Sequence, residues 1–431
     1  GLGNIWKFPY IAGENGGGAF VIIYILCVLF IGIPIMLSEV YLGKRGRLNP
    51  IASINYISEK ENRSNKWQII GFIGILAGIL ILSYYSVIAG WTMAYGARTA
   101  FGVINDIDAA GAALMFTEFI SDPERLLAWH TIFSIITIIV VSRGVKSGLE
   151  SAVTRLMPAL LVLLIALVIY SSIEGDFYNG IKFMLYPDFS QITWKTVLVA
   201  MGQAFFSLSL GMGALMVYGS YLSEKISIPQ TCVIVASLDT LVALLAGLAI
   251  FPIVISSGLE MTQGPGLIFQ TLTVAFGAMP GGQLFGTLFF ILLIFAAWTS
   301  SISLIEPMII WIIEKYNLTR IKAAAIAGGM AWLLGIGTIV SFNLGSEVKF
   351  FNMTFFELLD YITSNILLPL GGILISIYVS WLVSKDSINA ELQIKSKILK
   401  LIWYISARVI APIAVIFVML NALGIDINIL R

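Results

Sequence analysis

Gly1-Leu2-Gly3-Asn4-Ile5-Trp6-Lys7-Phe8-Pro9 opens the chain, setting two glycines and an asparagine into an otherwise apolar segment. A second stretch of the same kind is Phe206-Ser207-Leu208-Ser209-Leu210-Gly211-Met212-Gly213. Both fall in runs apolar enough to be membrane helices. In lipid, each amide or carbonyl freed by a broken helix costs roughly several kcal/mol unless something pairs with it. Either break alone reads equally as a kink or a close helix crossing, because glycine is common in membrane helices. Two breaks five helices apart, at corresponding places in two halves, point instead to a solute site built from unwound backbone.

Composition supports a lipid setting. The chain has 431 residues, 58% of them hydrophobic and 11% charged, with a mean hydropathy of +0.95. A soluble domain is about 25% charged, so most of this surface must face lipid, and the class is an all-α membrane protein. The net charge of +1 gives no case for nucleic acid. Cys27 and Cys232 sit in apolar runs with neither a disulfide framework nor metal spacing, and read as small buried hydrophobes. His130 is the single histidine, which excludes His-rich metal catalysis and leaves a Ser-His-Asp triad only this residue to build on. The phosphate-cradling Gly-x-x-x-x-Gly-Lys-Ser/Thr is missing, so nothing marks an ATP-driven pump. No initiator Met and no signal peptide are seen, and the start inside a motif reads as an N-terminal truncation.

A spanning helix needs about 20 apolar residues. On that length the sequence predicts about 11 helices in a single transmembrane domain, 1–431. A partial first helix covers about 1–13. Full spans follow near 17–43, 68–101, 128–143, 151–173, 194–222, 229–257, 282–313, 320–342, 352–384 and 398–423. Helices 1–5 thus occupy about 1–173, helices 6–10 about 194–384, and helix 11 about 398–423. The punctuated stretch 264–280 reads as a re-entrant or capping loop. Placing Lys44, Arg45 and Arg47 in the cytoplasm puts roughly 17 basic residues inside against about 7 outside. The acidic loop 102–127 then faces out, as does the C-terminus.

The opening motif, with Glu14-Asn15-Gly16-Gly17-Gly18-Ala19-Phe20 behind it, resembles the neurotransmitter:sodium symporter family, which has the LeuT fold. Gly32-Ile33-Pro34 with Glu39, Tyr84-Tyr85, Gln203-Ala204-Phe205-Phe206-Ser207-Leu208-Ser209 and Ala296-Ala297-Trp298-Thr299-Ser300-Ser301 extend the resemblance along nearly the whole chain. Gly211-Met212-Gly213 and Leu359-Asp360-Tyr361-Ile362-Thr363-Ser364-Asn365 are similar to its bacterial eleven-helix branch. The resemblance implies two inverted five-helix repeats, a multi-pass protein of the plasma (inner) membrane, and Na⁺-coupled uptake of an amino acid.

The residue chemistry agrees with that expectation. Leu2 and Gly3 amides open the second half of helix 1, where free N–H groups and a partial positive charge receive a carboxylate. By resemblance the Tyr85 hydroxyl completes that clamp, and carbonyls of Phe206, Ser207 and Ser209 accept the ammonium. The implied side-chain pocket is Ile81, Tyr85, Phe206, Ser209, Met212, Ser300 and Leu304. It has no partner for a charged side chain, which favours hydrophobic amino acids, aromatic ones included. The amine-carrying branch uses an acid early in helix 1, at a position missing from this sequence.

Hard cations take oxygen ligands. The resemblance assigns Asn4, Ser207 and Asp239 to a first sodium site, and the Ala296 carbonyl with Thr299 and Ser300 hydroxyls to a second. Thr-Ser pairs in membrane helices also bond back to their own helix without any ion. Asp239 stands where the family commonly has asparagine. Chloride-dependent relatives carry a serine where this chain has Ala243, although Tyr24, Gln203 and Ser207 match the rest of that chloride site. The expectation is two Na⁺ ions and no chloride requirement, the Asp239 carboxylate replacing the anion; alternatively Asp239 takes a proton in the return step.

Lys7 and Asp360 match the outer charged gate. Lysine lacks arginine's bidentate fork, so the expected latch is looser and bridged by water. Phe206 and Tyr85 form the lid. Glu314 near Tyr221 matches the inner gate, and buried Glu39 is expected to cap the unwound part of helix 6. Residues before Gly1 are expected to add sodium ligands and the inner gate's basic arm, so this stretch alone is not expected to transport normally.

Other classes stay in view. A non-transporting amino-acid sensor on the same fold carries the same motifs. An intramembrane aspartyl protease needs paired motifs such as Gly-x-Gly-Asp, which do not occur, and a metalloprotease needs more than one histidine. A channel does not need a clamp for both ends of an amino acid. Monomer and dimer remain open.

Overall fold

The computed structural model describes residues 1–259 and 266–422. The first helix, α1, covers 3–14. After it come α2 (Gly18–Gly46), α3 (Asn65–Ala100), α4 (Pro123–Ser142) and α5 (Ser147–Glu174). The sixth, α6, is interrupted, with halves Trp194–Ser207 and Ala214–Tyr221. The last five are α7 (Ile228–Ser256), α8 (Gly282–Tyr316), α9 (Arg320–Phe342), α10 (Phe355–Leu382) and α11 (Lys397–Asn421). Apart from α1 and α6, these are the helices long and apolar enough to cross a membrane among the described residues.

Helix ends follow local capping chemistry. The sequence expectation began the fourth span at 128. The helix instead starts at Pro123, because the Asp122 side chain accepts from the Arg125 amide and proline sits at the first helical position. Charged Glu124 and Arg125 disguised that turn as loop. Reciprocal side-chain and backbone bonds between Thr193 and Thr196 start α6, and Thr354 with Glu357 does the same for α10. The acidic outer loop also contains a helix, Ala109–Ile120, that the apolar-run reading did not resolve. In the punctuated stretch, Gly264 and Pro265 lie outside the described residues. Beyond them Leu267–Ala278 is a short apolar helix. Its Phe269 packs on Tyr95 of α3, ring centroids 4.9 Å apart, and on Phe290 of α8, so the segment caps the bundle and does not span it.

The packing repeats itself when the two halves are exchanged. α1 packs on α6, α2 on α7, α3 on α8 and α4 on α9. α2 also holds the second half of α6, as α7 holds α1, and α3 meets α10, as α8 meets α5. This is the pattern of an inverted repeat about an axis in the membrane plane. α3 is largely buried, whereas α4, α5 and α11 keep broad lipid-facing sides.

α2 and the second half of α6 touch backbone to backbone. A Cβ at Gly43 would lie 1.8 Å from the Met216 carbonyl oxygen. Without a hydrophobic drive between helices in lipid, such close approach is what holds them. Lys44 ties the same corner, its Nζ donating to the Ile226 carbonyl at 3.0 Å. Gly43→Ala should therefore force the two helices apart, at a cost of about 1–3 kcal/mol. A thermal unfolding midpoint in detergent lower than wild type is the expected result; an unchanged midpoint would show that the contact is dispensable.

Candidate functional site

The two interrupted helices meet at mid-bundle. The Leu2 amide donates to the Tyr85 hydroxyl at 3.3 Å, joining α1 to α3. Gln203 Nε2 donates to the Gly3 carbonyl at 2.8 Å, joining α6 to α1. A Cβ at Gly3 would stand 3.0 Å from the Phe206 ring, so only glycine lets the two breaks close up there without a shift. Asn4 Nδ2 donates to the Asp239 carbonyl at 2.8 Å, and the Tyr24 and Ser207 hydroxyls are 2.9 Å apart.

The unwound link of α6, 208–213, has left-handed backbone at Ser209 (φ 56°), Gly211 (φ 77°) and Gly213 (φ 73°). Two of its amides are satisfied by one side chain. The Gly211 amide donates to Glu39 Oε2 at 2.9 Å and the Gly213 amide to Glu39 Oε1 at 3.1 Å. Glu39 is fully buried.

Around these breaks lies a cavity of about 450 Å³. Ile81, Tyr85, Phe206, Ser209, Met212, Ser300 and Leu304, the side chains expected to form a pocket, all line it. Gly3, Asn4, Ser207, Asp239 and Thr299 border it too, while Leu2 is buried beside it. The cavity continues past Val153 and Met157 of α5 and Cys232 of α7. Sequence reading passed over the first two and took Cys232 for a buried hydrophobe, because an apolar side chain facing a cavity and one facing lipid look alike in a hydrophobic run.

Asp239 Oδ2 and Gln203 Oε1 are buried with no hydrogen-bond partner. A carboxylate oxygen left without a donor beside a cavity can take a cation, and the oxygens that Asp239 and Ser207 bring beside Asn4 suit a hard one. The α8 group is built differently. Thr299 Oγ1 donates to the Phe295 and Ala296 carbonyls, 3.1 Å each, the self-contained bond that a helix makes unaided. Ser300 reaches the cavity wall one residue on.

At the outer gate the two charges are not in direct contact, and at the inner gate the expected partner comes out differently. Lys7 Nζ lies 4.1 Å above the centre of the Phe206 ring. It forms no ion pair with Asp360 among the described residues. Asp360 Oδ1 accepts from Ser364, one turn on, at 2.9 Å, and from Tyr84 at 3.3 Å. A flexible ammonium finds an aromatic face, and the acid is already served by its own helix. At the other end Glu314 is not beside Tyr221. Glu314 Oε2 accepts from the Asn49 backbone amide at 3.0 Å and from Asn49 Nδ2 at 2.6 Å. The acid at Tyr221 is Glu306, whose Oε1 accepts from the phenol at 2.7 Å. Arg320 at the start of α9 grips Glu306 with both terminal guanidinium nitrogens, at 2.9 and 2.6 Å. Glu306 was missed although it carried a signal: it is an acid inside an apolar run, next to Pro307.

The sequence profile of the sodium:neurotransmitter symporter family matches residues 1–102 and 115–426. This chain belongs to that family. It is accordingly a multi-pass membrane transporter that depends on sodium, not an enzyme. It is 38% identical over 428 residues to the sodium-dependent transporter YhdH of Bacillus subtilis, covering 99% of this chain and 94% of the relative. A sodium-dependent transporter of Haemophilus influenzae is 34% identical, covering 98% and 94%. Among solved structures, MhsT in complex with L-phenylalanine superposes with a TM-score of 0.90 at 41% identity, covering 98% of this chain and 95% of that one. The symporter therefore has the LeuT fold.

The Glu306–Arg320 pair is buried on the acid's side. Glu306→Ala should cost about 3–5 kcal/mol, because it strands the guanidinium. Removing both charges, with Arg320→Leu as well, should recover part of that loss in thermal unfolding. A double variant less stable than the single one would contradict the pairing.

Proposed function

We infer that this symporter takes up a hydrophobic L-amino acid, aromatic ones included, together with two Na⁺ ions and without chloride. The observation that carries this reading is the Leu2 amide held on the Tyr85 hydroxyl at the wall of an apolar cavity. In this reading the substrate carboxylate sits at the Leu2 and Gly3 amides and the Tyr85 hydroxyl. Carbonyls of Phe206, Ser207 and Ser209 accept the ammonium. The side chain lies against Ile81, Met212, Ser300 and Leu304, which offer a charged group nothing to pair with. A cavity of about 450 Å³ has room for an aromatic ring, and Met212 adapts to its shape. The structural relative was solved with L-phenylalanine. A relative at 27% identity in Drosophila erecta is named sodium-dependent nutrient amino acid transporter 1.

Asn4, Ser207 and Asp239 hold the first ion in this reading, with the substrate carboxylate; Ala296, Thr299 and Ser300 hold the second. The Asp239 carboxylate brings the negative charge that chloride supplies elsewhere. Buried Ala243 has no hydroxyl to offer an anion. Transport proceeds by alternating access, with Lys7 and Tyr85 around the Phe206 lid outside and the Tyr221–Glu306–Arg320 cluster inside.

The test is equilibrium binding and proteoliposome uptake of labelled tryptophan, leucine and glycine, each with and without Na⁺. Tryptophan and leucine should bind only with Na⁺, and glycine weakly. Loss of the Tyr85 hydroxyl in Tyr85→Phe should weaken tryptophan binding about tenfold or more, as expected for a hydrogen bond to a charged group. Replacing chloride by gluconate should leave uptake unchanged. Binding without Na⁺ dependence would overturn the reading. Na⁺-dependent binding by the full-length protein with no uptake would favour a sensor of the same fold.

A further inference from the structure

Arg408 lies about 16 Å along α11 from Lys397, at 1.5 Å per residue. Its guanidinium sits 4.1 Å from the centre of the Trp381 ring on α10, and Trp381 Nε1 donates to the Arg408 carbonyl at 3.1 Å. One turn earlier, the Tyr404 ring lies 5.8 Å from Lys385 Nζ, and the Tyr404 hydroxyl is buried with no hydrogen-bond partner. Two cations and a free phenol thus gather at the α10–α11 junction, on the side where the basic loops collect. Among the described residues no carboxylate pairs with Arg408 or Lys385. Nearby acids serve other bases: Glu391 lies 3.7 Å from Lys44, and Glu61 lies 3.4 Å from Arg45. Exposed Asp386, next to Lys385, forms no ion pair with either cation.

We propose that Arg408, Lys385 and Tyr404 hold the phosphate of an anionic phospholipid at the cytoplasmic side of this junction. An arginine on a lipid-facing helix is costly unless paired, and the Arg408, Lys385 and Tyr404 side chains can all donate. A guanidinium matches phosphate oxygens in a bidentate way that an ammonium does not. Trp381, 53% exposed, is an amphipathic ring of the kind that sits at headgroup level. Basic pockets between helices on this side bind anionic headgroups. Below Arg408, exposed Val409 and Ile413 continue down the same helix and offer an acyl chain a track. A zwitterionic lipid carries its own cation beside the phosphate and gains less. Free phosphate has the charge but no chain to bury.

The test uses the full chain in detergent. Native mass spectrometry would titrate phosphatidylglycerol, phosphatidylcholine and inorganic phosphate, with Na⁺-dependent substrate binding as the check on folding. Phosphatidylglycerol should bind saturably and in preference to phosphatidylcholine, and inorganic phosphate should not displace it at matched concentration. Arg408→Gln and Lys385→Gln should each weaken phosphatidylglycerol about fivefold, one charge at the surface being worth about 1 kcal/mol. Arg408→Lys should retain part of the affinity, and Lys322→Gln on α9 should retain all of it. Equal affinity for the two lipids, wild-type affinity in Arg408→Gln, or displacement by inorganic phosphate would each overturn the proposal. In the first two cases Arg408 is merely shielded by Trp381; in the third the ligand is a free anion.

Discussion

The amides of Gly211 and Gly213 converge on one buried carboxylate, Glu39. Lipid cannot satisfy a backbone group, so a helix opened in mid-membrane would close again or bring water in. Glu39 removes that pressure from α6 by taking both amides at once. The open link can then turn other backbone groups toward the cavity. The clamp also fixes direction. It comes from α2, which meets the second half of α6 backbone to backbone at Gly43 and Met216. The acceptor and the helix it holds therefore move together.

That arrangement divides the bundle by function. α3 and α8 pack along each other and bring Ile81, Tyr85, Ser300 and Leu304 to one wall of the cavity. α1 and α6 bring the backbone groups to the facing wall. Contacts across the divide include single hydrogen bonds, such as the Leu2 amide on Tyr85 or the Tyr218 hydroxyl on Ser303, beside close backbone packing at Gly74 and Gly213. Single hydrogen bonds of this kind, worth about 1 kcal/mol, can be exchanged for substrate contacts. The glycine-packed seams cannot be opened so cheaply.

Much of this was legible in the sequence, because lipid imposes strong rules. Apolar run length set the spans, and glycines in register set the breaks. The pocket side chains then followed from the motif. What escaped was whatever depends on a choice between partners. Lys7 lies over the Phe206 ring, a partner that its motif does not announce. Glu314 and Glu306 are both acids on α8. Asn49, which caps the short helix Pro50–Lys60, claims the first, so Tyr221 and Arg320 have the second. Helix Ala109–Ile120 escaped for a different reason: it lies outside the lipid-spanning runs, where length no longer constrains the chain.

The buried acids carry the argument one step further. Glu39 has both oxygens filled by backbone amides. Glu306 has both filled by a guanidinium, with a phenol added. Those two are structural in the strict sense that nothing more is needed to balance them. Asp239 differs, since its Oδ2 has no donor although it lies against the same cavity as Asn4 and Ser207. Of these three acids it is the one that keeps an oxygen without a donor beside the cavity. In the function proposed above, a Na⁺ ion arrives from solution to meet that oxygen. A small cation that carries its charge into a low-dielectric site then strengthens every polar contact around it, the substrate carboxylate among them. On that view the coupling of ion to substrate is electrostatic at root, and its seat is the junction of α1, α6 and α7.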